Sequence, residues 1–358
     1  MQKLTLAAAA LAALMVTPVH AADDETALNI YSARGEATDE NLYNDFMEAS
    51  GLHVNRSERD TATTLQRLAD ESAAQDEENR DAHADVVLLN GLANLHAAAA
   101  QGLLQPLKSQ TLEQAVPEKL RAKTNDDGAT PWFGLSRRAR VIVYDPDQID
   151  AGDVQTYEQL ADVRHKGELC MTAASDAANQ GLLAALIAHN GSKKAEDWLR
   201  GVNDNLAVTA GGSDTDQIKA VAAGKCKITL SYHFDVTQLM RSDEAADRDI
   251  ARSVVVVFPN QDSWGTHVDV AGVALARHAP HAEQAQAFMD YLVSEQGQNL
   301  FANSNDEWPV VKDYRFDNER LQALLGKQDS FKSDDTPLGQ IAAHLDEARK
   351  LTGGAAPK

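Results

Sequence analysis

Two histidines near the C-terminal third, His278 and His281, stand three residues apart, a spacing at which a regular helix would offer two imidazoles to a metal ion. Pro280 lies between them and breaks the regular face such a pair needs, so they read as surface-loop residues. Other chemical signatures fail in the same local way. The chain holds no G-x-S-x-G nucleophile elbow, no H-E-x-x-H zinc helix and no G-x-G-x-x-G turn. Gly224-Lys225 lacks the upstream glycine of a phosphate-binding loop, so any ATP-driven step belongs to another subunit. Scattered carboxylates that converge only in space are invisible at this level. The two cysteines, Cys170 and Cys226, have no tight CxxC spacing, which argues against a metal or redox motif. If the chain is exported, a disulfide between them is the economical reading, with two buried thiols as the alternative.

Export is what the N-terminus indicates. The segment MQKLTLAAAALAALMVTPVHA places one lysine before an apolar run and ends in small residues, as a secretory signal peptide does, with cleavage expected after Ala21. No cysteine follows the cut, so a free periplasmic protein is expected, and no later apolar stretch is long enough to span a bilayer. The 54 acidic against 33 basic residues, a formal charge of -21, disfavour nucleic acid and anionic membrane surfaces as partners.

The elements that would position a site alternate short apolar strands with longer amphipathic segments, the mark of an α/β chain with helices covering a largely parallel sheet. Leu28 to Ser32 reads as the first strand. A helix from about Thr38 carries Leu42, Tyr43, Phe46 and Met47 on one face and stops at Gly51; Val54 lies in the next strand. Asp85 to Leu89 is a buried strand followed by an alanine-rich helix ending at Gly102. Arg140 to Tyr144 and Ser253 to Phe258 are two apolar strands bracketing a stretch that suits an inserted second lobe, with both connections acting as a hinge. Inside that bracket Asp216 to Ala223 is helical and Lys227 to Leu230 a strand, while Ala282 to Phe301 reads as one long helix. The expected division is a leader 1–21, one lobe from 22–137 with 258–307, a second from 138–257 with 308–350, and a frayed tail 351–358. No period of 20 to 50 residues recurs, so a solenoid is not indicated.

Several of these segments resemble the periplasmic ferric-iron-binding proteins of ABC transporters: Tyr31-Ser-Ala-Arg34, Gly134-Leu-Ser-Arg-Arg-Ala-Arg-Val-Ile-Val-Tyr144, Asn179-Gln180, Asp216-Gln-Ile-Lys-Ala-Val-Ala-Ala-Gly-Lys-Cys226, Phe258-Pro-Asn-Gln261, Gly265-Thr-His-Val268 and Trp308-Pro-Val310. The resemblance runs through nearly all of the chain after the leader. It implies a two-lobed type II periplasmic-binding-protein fold with a hinge and an interlobe cleft. It further implies a non-enzymatic monomer that captures a small ligand, and partners in the form of an inner-membrane permease with a separate ATPase subunit. An enzyme of the same bilobal fold is the competing class.

Such proteins commonly hold iron(III) by a His-Tyr or similar pair after the first strand, a tyrosine before Asn-Gln, and a later Tyr-Tyr pair. Phenolate is a hard anionic donor, and a trivalent ion makes it easy to ionise. Carried onto this chain, those positions hold Gly35 and Glu36, Ala178, and Phe234 and Asp235. Two readings stay open. In one, the cleft binds iron(III) or another hard cation through Glu36 and Asp235 with help from Tyr232 or His233. In the other, Phe234 walls an organic or oxyanionic solute, Asp235 and Glu36 accept hydrogen bonds, and Arg34 or Arg140 meets an anionic group. Asn179 and Gln180 would lie at a helix start beside the cleft, where unpaired N–H groups favour an anion. Arg138 reads as solvated or salt-bridged, and Trp264, Trp308 and His267 as packing residues.

Overall fold

The computed structural model describes residues 27–35, 39–74, 82–312, 314–326 and 330–353. Ten strands occur among them: β1 (Ala27–Ser32), β2 (His53–Glu58), β3 (Val86–Asn90), β4 (Leu104–Gln105), β5 (Phe133–Tyr144), β6 (Leu169–Cys170), β7 (Ile228–Tyr232), β8 (Val255–Val257), β9 (Val268–Ala276) and β10 (Trp308–Pro309). Their hydrogen-bonded order is β2-β1-β3-β9-β5-β7-β6, with β4, β8 and β10 paired off this path. Parallel pairing of β1 with β2 and β3 places apolar residues on both faces under helices, which is why Leu28, Ile30 and Val86 to Leu89 are buried.

β5 joins the two lobes. Its first half, Phe133 to Ala139, pairs antiparallel with β9. Its second half, Arg140 to Tyr144, pairs with β7, and Ile142 to Tyr144 also pair with β8. The register shifts between Gly134 and Ser136, and Gly134 itself is required: a Cβ there would stand 2.5 Å from the carbonyl oxygen of Leu120.

Most sequence-based elements are present within a few residues, and the helix Glu40–Ser50 ends as expected on Gly51 in the left-handed region. Two expectations are corrected. The apolar run 253–258 is not strand throughout: only Val255–Val257 forms one, at a half-exposed edge against the second half of β5, and the strand that lies against the first half of β5 is β9. β9 is buried at all nine positions, so it lacks the alternation that would mark a half-buried strand. Ala282 to Phe301 is two helices, Ala282–Leu292 and Glu295–Ser304. Ser294 caps the second by accepting from the N–H of Gly297, and Gly297 packs so closely on the first that a Cβ would lie 2.5 Å from the carbonyl oxygen of Tyr291.

Cys170 and Cys226 form a disulfide that ties β6 to the start of β7. Trp264 stacks on Tyr157 and His189, and Trp308 packs against Phe316 and Phe331, so both serve packing. No helix among the described residues is long and apolar enough to cross a membrane.

Candidate functional site

Four helices point their N-termini at one cleft of about 320 Å3. Gly91 caps helix Leu92–Ala100, Asp176 caps Ala177–Asn190, Ser213 caps Asp214–Ala222, and Tyr232 caps His233–Arg241. Residues from each of these starts line the cleft, among them Gly91, Asp176, Ala178, Asp214, Tyr232, Phe234 and Asp235, together with Arg138 from β5. Helix N-termini carry partial positive charge and unpaired N–H groups, so they favour anionic ligand atoms. Three of the four starts also bring a carboxylate, Asp176, Asp214 and Asp235, and the cleft therefore presents both signs of charge.

The wall on the β7 side is a ladder of flat groups. The guanidinium of Arg138 lies 4.6 Å from the ring centre of Phe234; Phe234 stacks on Tyr232 at 5.6 Å; and the guanidinium of Arg140 lies 5.0 Å from the ring of Tyr232. Arg140 is wholly buried, ion-paired to Asp214, and donates to the amide oxygen of Asn179 at 3.0 Å. Asn179 in turn donates to Thr172 Oγ1 at 2.9 Å and the Ala173 carbonyl at 2.9 Å. Asp214 also accepts from the backbone N–H of Tyr232 at 3.2 Å.

Asp235 accepts from Thr215 Oγ1 at 3.1 Å and Ser231 Oγ at 3.3 Å. Burial and the neighbouring charge of Asp214 push its pKa up to about 7, outweighing the hydroxyl of Thr215 and the charges of Arg140 and Arg138. The phenol of Tyr232 donates to Asp269 Oδ2 at 2.8 Å, and burial, then the charge of Asp269, holds it un-ionised.

Against the residues expected from sequence, Ala178, Tyr232, Phe234 and Asp235 come together on the cleft. Glu36 lies outside the described residues. The other expected residues are not among those described as lining this cleft. His233 is fully buried on the far side of its helix: Nδ1 accepts from the Ala139 N–H at 3.1 Å, Nε2 donates to the Asp306 carbonyl at 2.9 Å, and burial lowers its pKa to about 4. Arg34 is 4% exposed and bound to Asp39 at 2.6 Å and Glu307 at 3.1 Å. Gly35 is exposed and donates its N–H to Glu58 at 2.8 Å. Arg140 and Asn179 form a second layer behind Tyr232 rather than the surface. Arg138, read from sequence as merely solvated or paired, is the arginine that reaches the cleft while also pairing with Glu307.

Sequence reasoning missed Gly91, Asp176, Asp214 and Asp269. The Gly-Gly-Ser-Asp run at 211–214, a cap signal before a helix, was the one local clue to Asp214. No group of three or more His, Cys, Asp or Glu side chains among the described residues is arranged to hold a metal ion.

The fold has close counterparts. The chain is 36% identical to Iron uptake protein A1 of Synechocystis sp. over 332 residues, covering 93% of this chain and 88% of the relative. It is 32% identical to Iron uptake protein A2 of the same organism, covering 96% and 94%. Among solved structures, the Trichodesmium IdiA/FutA protein in complex with iron and citrate superposes with a TM-score of 0.81 at 36% identity, covering 91% of this chain and 98% of that one. The ferric binding protein from Campylobacter jejuni gives a TM-score of 0.82 at 32% identity, with the same coverage. These bilobal counterparts bear out the two-lobed type II periplasmic-binding-protein fold expected from sequence. A model of bacterial extracellular solute-binding proteins matches residues 41–323, and with four helix starts facing one interlobe cleft, the chain belongs to that family.

Proposed function

We propose that this chain is the periplasmic capture subunit of an ABC import system for iron, and that its cargo is ferric iron already held by a small chelating anion. The cleft itself carries the reading. Its volume of about 320 Å3 falls in the size class of small-molecule sites, roughly 300–1,000 Å3. Among the described residues its walls offer Arg138 and helix N-termini, with no group of three or more His, Cys, Asp or Glu side chains arranged to hold a metal ion. A chelate brings its own oxygen donors, and its anionic arms suit the N–H groups at the helix starts. Ala178, Phe234 and Asp235 occupy the positions at which the family resemblance calls for phenolates, and Tyr232 is committed to Asp269. The relatives named for iron uptake, and the iron and citrate bound by the Trichodesmium protein, support the choice of iron.

In this reading the N-terminal 21 residues direct export, the lobes divide as 22–137 with 258–307 and 138–257 with 308–350, and a membrane permease with its own ATPase receives the loaded form. Ala178, Tyr232, Phe234 and Asp235 contact the cargo. The test is a thermal shift on chelator-stripped protein with ferric citrate, citrate alone, ferric nitrilotriacetate, spermidine and glutamate, paired with metal analysis of the recovered complex. Ferric citrate at a hundredfold excess over its Kd stabilises the wild type by about 2.7 kcal/mol, and Asp235→Ala abolishes the shift. Stabilisation by spermidine or glutamate, with none from either ferric complex, would replace iron with an organic solute.

A further inference from the structure

The hydrogen bond from Tyr232 to Asp269 runs between the lobes. Tyr232 ends β7 and caps the helix that follows, whereas Asp269 lies on β9 in the sheet built from β1, β2 and β3. Asp269 is fully buried, and its Oδ1 is fixed by two backbone donors, the N–H of Leu92 at 2.7 Å and of Val270 at 2.8 Å. Oδ2 is the oxygen that receives the phenol at 2.8 Å. The carboxylate is thus positioned in one lobe, at a helix start that favours its charge, before Tyr232 arrives from the other.

The surroundings are shaped for this approach. A Cβ on Gly91 would stand 3.3 Å from Asp269 Oδ2 and 3.8 Å from the Cβ of Ala177, the first residue of the helix after β6. A Cβ on Gly181, one turn along that helix, would stand 3.6 Å from Asp269 Oδ2. Gly91 and Gly181 thus bring backbone from both sides close to this carboxylate. Tyr232 is itself held from behind by Arg140 over its ring and by Asp214 on its backbone N–H.

We propose that Tyr232 and Asp269 form an interlobe latch that makes Tyr232 a positioning residue for capture: it holds the cleft shut over the cargo and sets how readily the lobes part. This rests on the capture reading above only in that two lobes close on a ligand; the cargo's identity does not enter. A phenol donating to a buried carboxylate is charge-assisted, so its loss raises the open-to-closed ratio about tenfold.

Small-angle X-ray scattering on ligand-free protein tests the latch, with wild type, Tyr232→Phe, Asp269→Asn and the double variant compared at one concentration. Wild type gives the compact profile calculated from this structure. Tyr232→Phe shifts it toward larger radii while the far-UV circular dichroism stays that of the folded wild type, and the double variant shifts no further than the larger of the two single ones. A Tyr232→Phe profile superimposable on wild type overturns the latch, as do fully additive single effects. Ferric citrate added to the same samples separates the two claims. A latch seen without any response to ferric citrate removes the cargo and keeps Tyr232; a full response with no scattering change does the reverse.

Discussion

The first turn of helix His233–Arg241 divides two clusters of buried charge that are built to different ends. On its inner side Glu307, 1% exposed, is shared by Arg34, Arg138 and Ser136. Burial works against ionising Glu307, yet Arg138 and Arg34 bring its pKa down to about 2. On the cleft side Asp235 has hydroxyl donors for company and Asp214 for a neighbour, and its pKa rises to about 7. The same ingredients, carboxylates and arginines, give a saturated joint in one place and an incompletely neutralised surface in the other. A structural cluster spends all its partners, and a binding wall keeps an acceptor in reserve for what it captures.

The contrast is most easily broken at Glu307. Glu307→Gln removes the carboxylate that buried Arg138 and Arg34 share, Arg34 keeping Asp39, and lowers unfolding free energy by about 3–5 kcal/mol, as measured by urea denaturation. A loss below 1 kcal/mol would mean that the cluster is not saturated. His233 gives the next effect. His233→Asn keeps an acceptor for the Ala139 N–H but abandons the Asp306 carbonyl, at a cost of about 1–3 kcal/mol. Its pKa is depressed to about 4, so its contribution is present above the unfolded value and disappears as pH falls from about 6.5 toward 4. The variant flattens that acid limb of the stability profile.

Asp235→Asn gives the smallest change and the opposite sign. Because its folded pKa is raised to about 7, Asp235 stabilises the fold below the carboxylate's unfolded pKa, and that stability is lost as pH climbs through about 7. Replacing it with the neutral amide makes the unliganded protein about 1 kcal/mol more stable at pH 8 and flattens the decline between about pH 4 and 7. Wild-type and variant profiles that stay parallel across that range would return Asp235 to the class of ordinary surface acids.

Much of this was legible in the residues. The apolar run after Arg140, the Tyr232-to-Asp235 segment at a strand end, and the Cys170–Cys226 bond each follow from local pattern or compartment. What escaped was anything set by a distant partner. Arg138 and Arg140 stand two apart on one strand, with nothing local to rank them; Tyr232 covers Arg140, while Arg138 reaches the cleft beside Phe234. His233 looked like a donor to the cleft, yet a helix start turns neighbouring side chains in different directions, and this one faces Ala139 and Asp306. Asp269 takes its meaning from Leu92, 177 positions earlier, and from Tyr232, 37 positions earlier.

That long reach bears on how the molecule is assembled. β9 fills the gap between β3 and β5, so both of those strands present bare hydrogen-bonding edges until the last quarter of the polypeptide is delivered. Pairings of such high sequence separation form slowly, and open edges invite the wrong neighbours in the meantime. The nascent chain thus has a built-in delay before it can become compact, a property ill matched to crowded refolding.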